Sequence, residues 1–204
     1  MTSRDHLQSV VTLDLEGVLV PEIWIAVANR TGISELARTT RDEPDYDVLM
    51  KYRLAILESR GLRLSDITTV ISDLSPEPGA VEFLNELRSH TQVLILSDTF
   101  EQFAKPLMAQ LGWPTLFCHR LVVDSESRVT DYQLRMPDQK RFAVEALHSL
   151  NYRVVAAGDS YNDTAMLGAA DKGILFRSPP NVIAEFPQFE SCVEYADLLA
   201  LIGV

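Results

Sequence analysis

Val10-Val11-Thr12-Leu13-Asp14-Leu15-Glu16-Gly17-Val18-Leu19-Val20 is the stretch on which the reading of this chain turns. An apolar run ends at one acid, a second acid follows two residues later, and a glycine breaks the chain next. Such a run reads as a buried strand of a parallel sheet. Asp14 then stands at the strand's carboxyl end, where open α/β sheets bind their ligands. Glu16 has the same strand parity, so both carboxylates point into one crevice. Two like charges this close are costly unless a cation or a shared proton offsets them. Taken alone, the pair reads equally well as acids solvating a strand–loop junction.

A second acidic element lies downstream. Arg153-Val154-Val155-Ala156-Ala157 is another buried strand, running into Gly158-Asp159-Ser160-Tyr161-Asn162-Asp163 and a helical pattern over 164–170. Gly158 permits a tight exit from the strand. Asp159 sits where Asp14 sits, and Asp163 follows one helical turn later if the helix begins near Ser160. Either acid alone reads as a helix N-cap. Two strand-end acid clusters in one domain point instead to a hard-cation site, and oxygen ligands suit Mg²⁺. Val93-Leu94-Ile95-Leu96 is a strand ending in Ser97-Asp98-Thr99, just before a helix over 100–111. Hydroxyls and free backbone N–H groups there suit an anion. Lys140 follows Asp138 at the start of a helix to Leu150 and adds a positive charge. By themselves, Ser97 reads as an N-cap and Lys140 as a solvated lysine. Their order along the chain is the signal.

That order is an acid pair, an insertion, a strand-end Ser, a Lys, then Gly-Asp-x-x-x-Asp. It resembles the haloacid dehalogenase superfamily of aspartyl-phosphate phosphotransferases, over essentially the whole chain. Within that superfamily the chain looks most like the phosphoserine phosphatase branch. The motifs Leu13-Asp14-Leu15-Glu16-Gly17-Val18-Leu19-Val20-Pro21-Glu22 and Leu96-Ser97-Asp98-Thr99-Phe100 are similar to those of its bifunctional phosphatase/homoserine phosphotransferase subgroup. The resemblance implies that Asp14 is the nucleophile, Glu16 the general acid/base, Ser97 a phosphate binder and Lys140 the charge clamp. It implies a Mg²⁺ site of Asp14, Asp159 and the Glu16 backbone carbonyl. Asp163 would orient Lys140 or a metal-bound water, and Asn162 would line the phosphate site. Two departures from the common pattern stand out: Glu16 replaces the usual second Asp, and Ser97-Asp98-Thr99 replaces Ser-Gly-Gly. The first adds a methylene of reach to the proton-transfer group. The second restricts backbone approach to phosphate and adds an acid near the site.

Composition fits an enzyme of this kind. At 204 residues the chain can bury a sizeable core as one domain plus an insertion. Its net charge of −11 argues against nonspecific nucleic-acid or anionic-membrane binding, and requires local cationic help for any anionic substrate. Cys118 and Cys192 lack metal-ligand spacing and read as reduced core thiols of a cytoplasmic protein. The sequence shows no basic-plus-apolar leader and no long apolar run, so neither secretion nor membrane spanning is indicated. His6, His90, His119 and His148 are scattered, and none is needed for the chemistry.

Punctuation sets the organisation. Helical patterns open at Ile23 and at Val48, ended by Gly32 and Gly61, and a third short helix starts at Ser65. Pro76-Glu77-Pro78-Gly79 opens a helix to about His90 with Pro78 in its first turn. A hairpin turns around Ser125-Glu126-Ser127, Gly173-Ile174-Leu175-Phe176 is a core strand, and a terminal helix covers 195–202. The expectation is an α/β fold, a doubly wound parallel sheet, with core residues 1–20 and 76–204 and a small helical cap, 21–75, inserted after the first strand. By the same resemblance the cap reads an amino acid, Glu22 meeting its ammonium and Arg53 its carboxylate, with Arg41 the rival. Ser97, Asp98, Thr99 and Asn162 complete the substrate-binding set. The expected function is Mg²⁺-dependent hydrolysis of O-phosphoserine, with water or homoserine as acceptor and a homo-oligomer left open. Alternatives are another small phosphomonoester, a receiver-like domain, or a noncatalytic Mg²⁺-binding relative.

Overall fold

The computed structural model describes residues 7–40, 42, 43 and 45–204. Seven strands form one sheet in the order β4-β3-β2-β1-β5-β6-β7. They are β1 (Ser9–Leu13), β2 (Gln92–Phe100), β3 (Thr115–Val123), β4 (Val129–Gln133), β5 (Arg153–Gly158), β6 (Lys172–Phe176) and β7 (Glu190–Cys192). Every neighbouring pair is parallel except β3 with β4, which form the expected hairpin.

Strand alternation explains the layering. Val11, Leu13, Ile95, Val155, Ala157, Ile174 and Phe176 join one apolar cluster. Their neighbours Val10, Leu96, Val154, Ala156 and Leu175 join another. A strand buried on both faces reads as a continuous apolar run because each residue parity has its own core to enter. Helices α1 (Ile23–Thr31), α2 (Tyr46–Arg60), α3 (Leu64–Ser72), α4 (Ala80–His90), α5 (Glu101–Gln110) and α9 (Tyr195–Ile202) contribute to the first cluster. α6 (Gln139–Ser149), α7 (Thr164–Ala169) and α8 (Pro180–Glu185) cover the other face. The chain winds from β1 outward through β2 and β3, then returns to β5 on the other side of β1. A topological switch point therefore lies at the carboxyl end of β1, between β2 and β5.

The helices between β1 and α4 have no separate core. Trp24, Val27, Leu36, Met50, Leu57, Ile67 and Ile71 share a cluster with Leu13, Phe100 and Phe103. The hairpin also holds them. Tyr132 donates its hydroxyl to Asp47 at 2.6 Å, and the Leu64 N–H donates to the Ser127 carbonyl at 2.8 Å. At α2's first residue, the Tyr46 hydroxyl donates to the Asp98 carbonyl at 2.9 Å, so the helical stretch grips β2 beside the switch point.

Several local expectations change. β2 runs through Ser97-Asp98-Thr99 to Phe100, one residue beyond the expected strand end, with its pairing to β3 broken between Leu96 and Phe100. Ser97 is therefore in a strand, not at a helix N-terminus. Pro78 precedes α4 rather than lying in its first turn, because Gly79 at φ 84° turns the chain into Ala80. Beyond β5 a 3₁₀ turn, Tyr161–Asp163, precedes α7. Cys118 and Cys192 are free but only half-buried, so neither is a core thiol. A short 3₁₀ segment, Ser34–Ala37, together with α8 and β7, adds elements the pattern did not announce. Among the described residues no helix is long and apolar enough to cross a membrane.

Candidate active site

Asp14, Glu16, Glu22, Arg53, Ser97, Asp98, Thr99, Lys140, Asp159 and Asn162 line one cavity of about 90 Å³ at the switch point. Asp163 lies immediately behind it, fully buried. The sequence-derived residues therefore converge, apart from Arg41, which lies outside the described residues. Strand parity does not account for Glu16, because β1 ends at Leu13. A tight turn brings it in instead, with the Gly17 N–H bonded to the Val20 carbonyl at 2.8 Å.

Lys140 is the charge centre. Its ammonium lies 2.9 Å from Asp14 Oδ1, 2.8 Å from Asp163 Oδ1 and 3.7 Å from Asp98 Oδ2. It is buried, not solvated. Burial alone would lower its pKa, but Asp14, Asp163 and Asp98 outweigh that and hold it well above the usual lysine value. Removing Lys140 from such a cluster would leave buried carboxylates uncompensated, at a cost of about 3–5 kcal/mol, whereas the ammonium keeps a partner when a single carboxylate is lost. Asp14 Oδ1 also accepts the Leu15 N–H at 2.8 Å. Burial, then Asp163, pushes the Asp14 carboxyl well above its usual range, with Asp159 adding to the rise and Lys140 opposing it. A bound divalent cation relieves this kind of crowding.

The donor set fits such a cation. Asp14, Asp159 and Asp163 each place one carboxylate oxygen within 4.8 Å of the others. Asp163 is otherwise engaged: Oδ1 takes Lys140, and Oδ2 accepts the N–H groups of Asp159 at 3.0 Å and Ser160 at 3.1 Å. Asp14 and Asp159 are the carboxylates that would face an ion beside it. Gly17, at φ 76°, makes room for Asp159. A Cβ there would sit 2.6 Å from the Asp159 carboxyl carbon, which only glycine avoids.

Glu16 occupies the side of the cavity next to α1. Its Oε2 accepts the Ile23 N–H at 2.9 Å. Burial, then the neighbouring Glu22 carboxylate, raises its pKa to about 7, against the pull of the Ile23 N–H, the Thr99 hydroxyl and Arg53. Arg53 is 6% exposed, not a solvated charge. Its guanidinium lies 4.5 Å over the Trp24 ring, and Nη2 donates to the Arg38 carbonyl at 2.7 Å. Its Nε is buried with no hydrogen-bond partner among the described residues. An orphaned donor of this kind costs about 1–3 kcal/mol until an acceptor arrives.

Asp98 lines the cavity, but its carboxylate is occupied by protein donors: Asn162 Nδ2 at 3.1 Å on Oδ2 and Gln139 Nε2 at 3.2 Å on Oδ1. Burial would raise its pKa, yet Lys140, His119, Asn162 and Gln139 together hold it below the usual carboxylate range. His119 and Gln139 were not singled out in the sequence. A scattered histidine and a glutamine beside Lys140 carry no spacing signal, and only β3 and α6 bring them behind β2.

The haloacid dehalogenase-like hydrolase family matches residues 9–171, and the chain belongs to that family. It is 62% identical over 189 residues to the phosphoserine phosphatase of Pseudomonas syringae pv. tomato, covering 93% of this chain and 80% of that one. It is likewise 62% identical to phosphoserine phosphatase ThrH of Pseudomonas aeruginosa, covering 93% of this chain and 92% of that one. Among solved structures, a phospho-aspartyl intermediate analogue of phosphoserine phosphatase superposes with a TM-score of 0.79 at 21% identity, over 95% of this chain and 98% of that one. That last similarity speaks to the fold.

Proposed function

We propose that the protein hydrolyses O-phosphoserine through an aspartyl-phosphate at Asp14, with Mg²⁺ bound by Asp14, Asp159 and the Glu16 carbonyl. The observation that carries this reading is the cavity in which a buried Asp14–Lys140 pair shares the lining with Glu16, its pKa raised to about 7, and the buried Arg53. The relatives named phosphoserine phosphatase at 62% identity support the substrate. Mg²⁺, when bound, neutralises charge on the transferring phosphoryl group.

The protein's own groups do the rest. Lys140 and the Leu15 N–H fix Asp14 through Oδ1. Asp14 attacks phosphorus, the serine O–P bond breaks, and protonated Glu16 gives its proton to the departing alkoxide. The ionised Glu16 then takes a proton from water, which attacks the aspartyl-phosphate and releases inorganic phosphate. A group titrating near the working pH suits both directions of transfer. Ser97, Asn162 and Lys140 hold the phosphoryl oxygens, and residues 21–75 act as the cap that reads the amino acid. Measuring phosphate release and organic products from O-phosphoserine tests this. Serine plus phosphate in equal amounts is the expected result, and turnover of other phosphomonoesters in preference to phosphoserine points to a different substrate.

Arg53 and Glu22 carry the amino-acid preference. Arg53→Lys keeps the charge but loses the Nε donor and the planar fork. It should raise KM for phosphoserine roughly 10-fold or more, the scale of one charged hydrogen bond, and leave an aryl phosphate unaffected. Glu22→Gln should act in the same selective direction. Equal losses on both substrates would remove these two residues from recognition.

Homoserine transfer is part of the proposal. Glu16 and the Ser97-Asp98-Thr99 segment match the bifunctional subgroup, and an alcohol held at high effective concentration outcompetes water. With phosphoserine as donor, added homoserine should yield phosphohomoserine at the expense of phosphate. Glu16→Asp should shift that partition while sparing the metal site, since the backbone carbonyl remains. Absence of phosphohomoserine at saturating homoserine leaves a phosphatase only.

A further inference from the structure

The buried groups behind Asp98 take no part in the steps above. His119 is 5% exposed, and its Nδ1 accepts the Arg135 N–H at 3.1 Å. The proton of the neutral ring is therefore on Nε2, which lies 3.5 Å from Asp98 Oδ1. Gln139, 2% exposed, spends both amide hydrogens nearby, on the Ser97 carbonyl at 2.5 Å and on Asp98 Oδ1 at 3.2 Å. Its own Oε1 accepts from Arg135 Nε at 3.1 Å, which fixes the sense of the amide. Since Gln139 Nε2 has no lone pair to offer, the His119 proton has Asp98 Oδ1 as its acceptor.

Asp98 is thus pinned from behind by one oxygen, and the other faces the cavity. Oδ2 accepts one amide hydrogen of Asn162 at 3.1 Å and lies 3.7 Å from Lys140 Nζ. The Ser160 hydroxyl donates to Asn162 Oδ1, fixing that amide as well. A planar amide with its oxygen and one hydrogen so fixed directs its second hydrogen along a single line. An extra carboxylate next to a phosphoryl site is repulsive. Here the repulsion is offset because both oxygens are saturated by donors, and it brings two cationic or donor groups into register.

We propose that His119 and Gln139 are positioning residues that lock Asp98 so that its cavity-side oxygen aims Asn162 and Lys140 at the transferring phosphoryl group. This rests on reading the cavity as a phosphoryl-transfer site. The effect belongs to the phosphoryl end of the substrate, so it is blind to the amino acid.

The test uses the full chain with Mg²⁺, O-phosphoserine, an aryl phosphate and inorganic phosphate as product inhibitor. His119→Asn keeps a polar group near the Arg135 N–H but cannot reach Asp98. Its kcat should fall about 10-fold on both substrates alike, the scale of outer partners at such sites, with weaker phosphate inhibition, measured below the variant's own melting temperature. His119→Gln, whose amide N–H extends to the Nε2 position, should recover most of the loss. In an Asp98→Ala background, His119→Asn should cost no more than about two-fold further, as expected for residues acting through one partner. Wild-type kcat and phosphate inhibition in His119→Asn overturns the proposal. So does a loss that His119→Gln fails to recover, or one that recurs in full without Asp98. A wild-type protein that turns over neither phosphomonoester overturns the underlying phosphoryl-transfer reading instead.

Discussion

Asp14→Asn is expected to lose turnover of phosphoserine by at least roughly 10⁴-fold while melting close to the wild-type temperature. The amide is nearly isosteric and keeps an oxygen for the Leu15 N–H, which Asp14 Oδ1 accepts at 2.8 Å. It is a poor nucleophile, so the two-step route through a covalent phosphoenzyme closes. The substitution also removes one negative charge from the group around Lys140, where Asp163 at 2.8 Å still balances the ammonium. Stability should therefore survive a change that activity does not. Steady-state rates and a thermal melt on the same preparation check both halves. An Asn variant with more than a few per cent of wild-type rate would place the nucleophile elsewhere.

Loss of the metal should have an effect of similar size. Excess chelator should stop turnover, and restored Mg²⁺ should return it. Asp159→Ala should raise the Mg²⁺ concentration for half-maximal activity by about 100-fold or more, beyond the usual effect of an outer partner. The basis is the all-oxygen arrangement of Asp14 and Asp159, with Asp163 already committed to Lys140 and to two backbone N–H groups. Asp163→Asn should instead lower kcat, because it loosens Lys140 more than it changes the ion's ligands. Metal titrations of the two variants, read as half-saturation against maximal rate, separate these roles. Full activity in excess chelator would remove the metal from the account.

Much of this site was legible because its signals are local. The apolar run 10–13 ending at Asp14, and its counterpart over 153–158 ending before Asp159, each carry a strand and its terminal acid in one stretch. A parallel sheet brings such strand ends together at one edge, so chain order sufficed to collect Asp14, Ser97 and Asp159. Helices closed by glycine, such as α1 before Gly32 and α2 before Gly61, announced their ends for the same reason. What stayed hidden depends on packing across the sheet. Whether Arg53 is a solvated charge or a buried donor is decided by Trp24 and Arg38 on other segments. The course of β2 through Phe100 follows from its renewed pairing with His119 after the break, which propensity over 97–99 does not encode. His119 and Gln139 gain meaning only when β3 and α6 place them behind Asp98. Helical periodicity marks the stretch after β1 as an insertion, but nothing in that periodicity reveals that it shares one apolar cluster with the sheet.

The central claim is that phosphate passes through Asp14. The most direct measurement is acid quenching of the Mg²⁺-loaded protein during turnover of isotopically labelled phosphoserine, followed by mass mapping of the labelled peptide. The account predicts label on the peptide carrying Asp14, absent in Asp14→Asn and discharged on chase with unlabelled substrate. Turnover with the label on a different residue, or with no covalent label at any quench time, would contradict it.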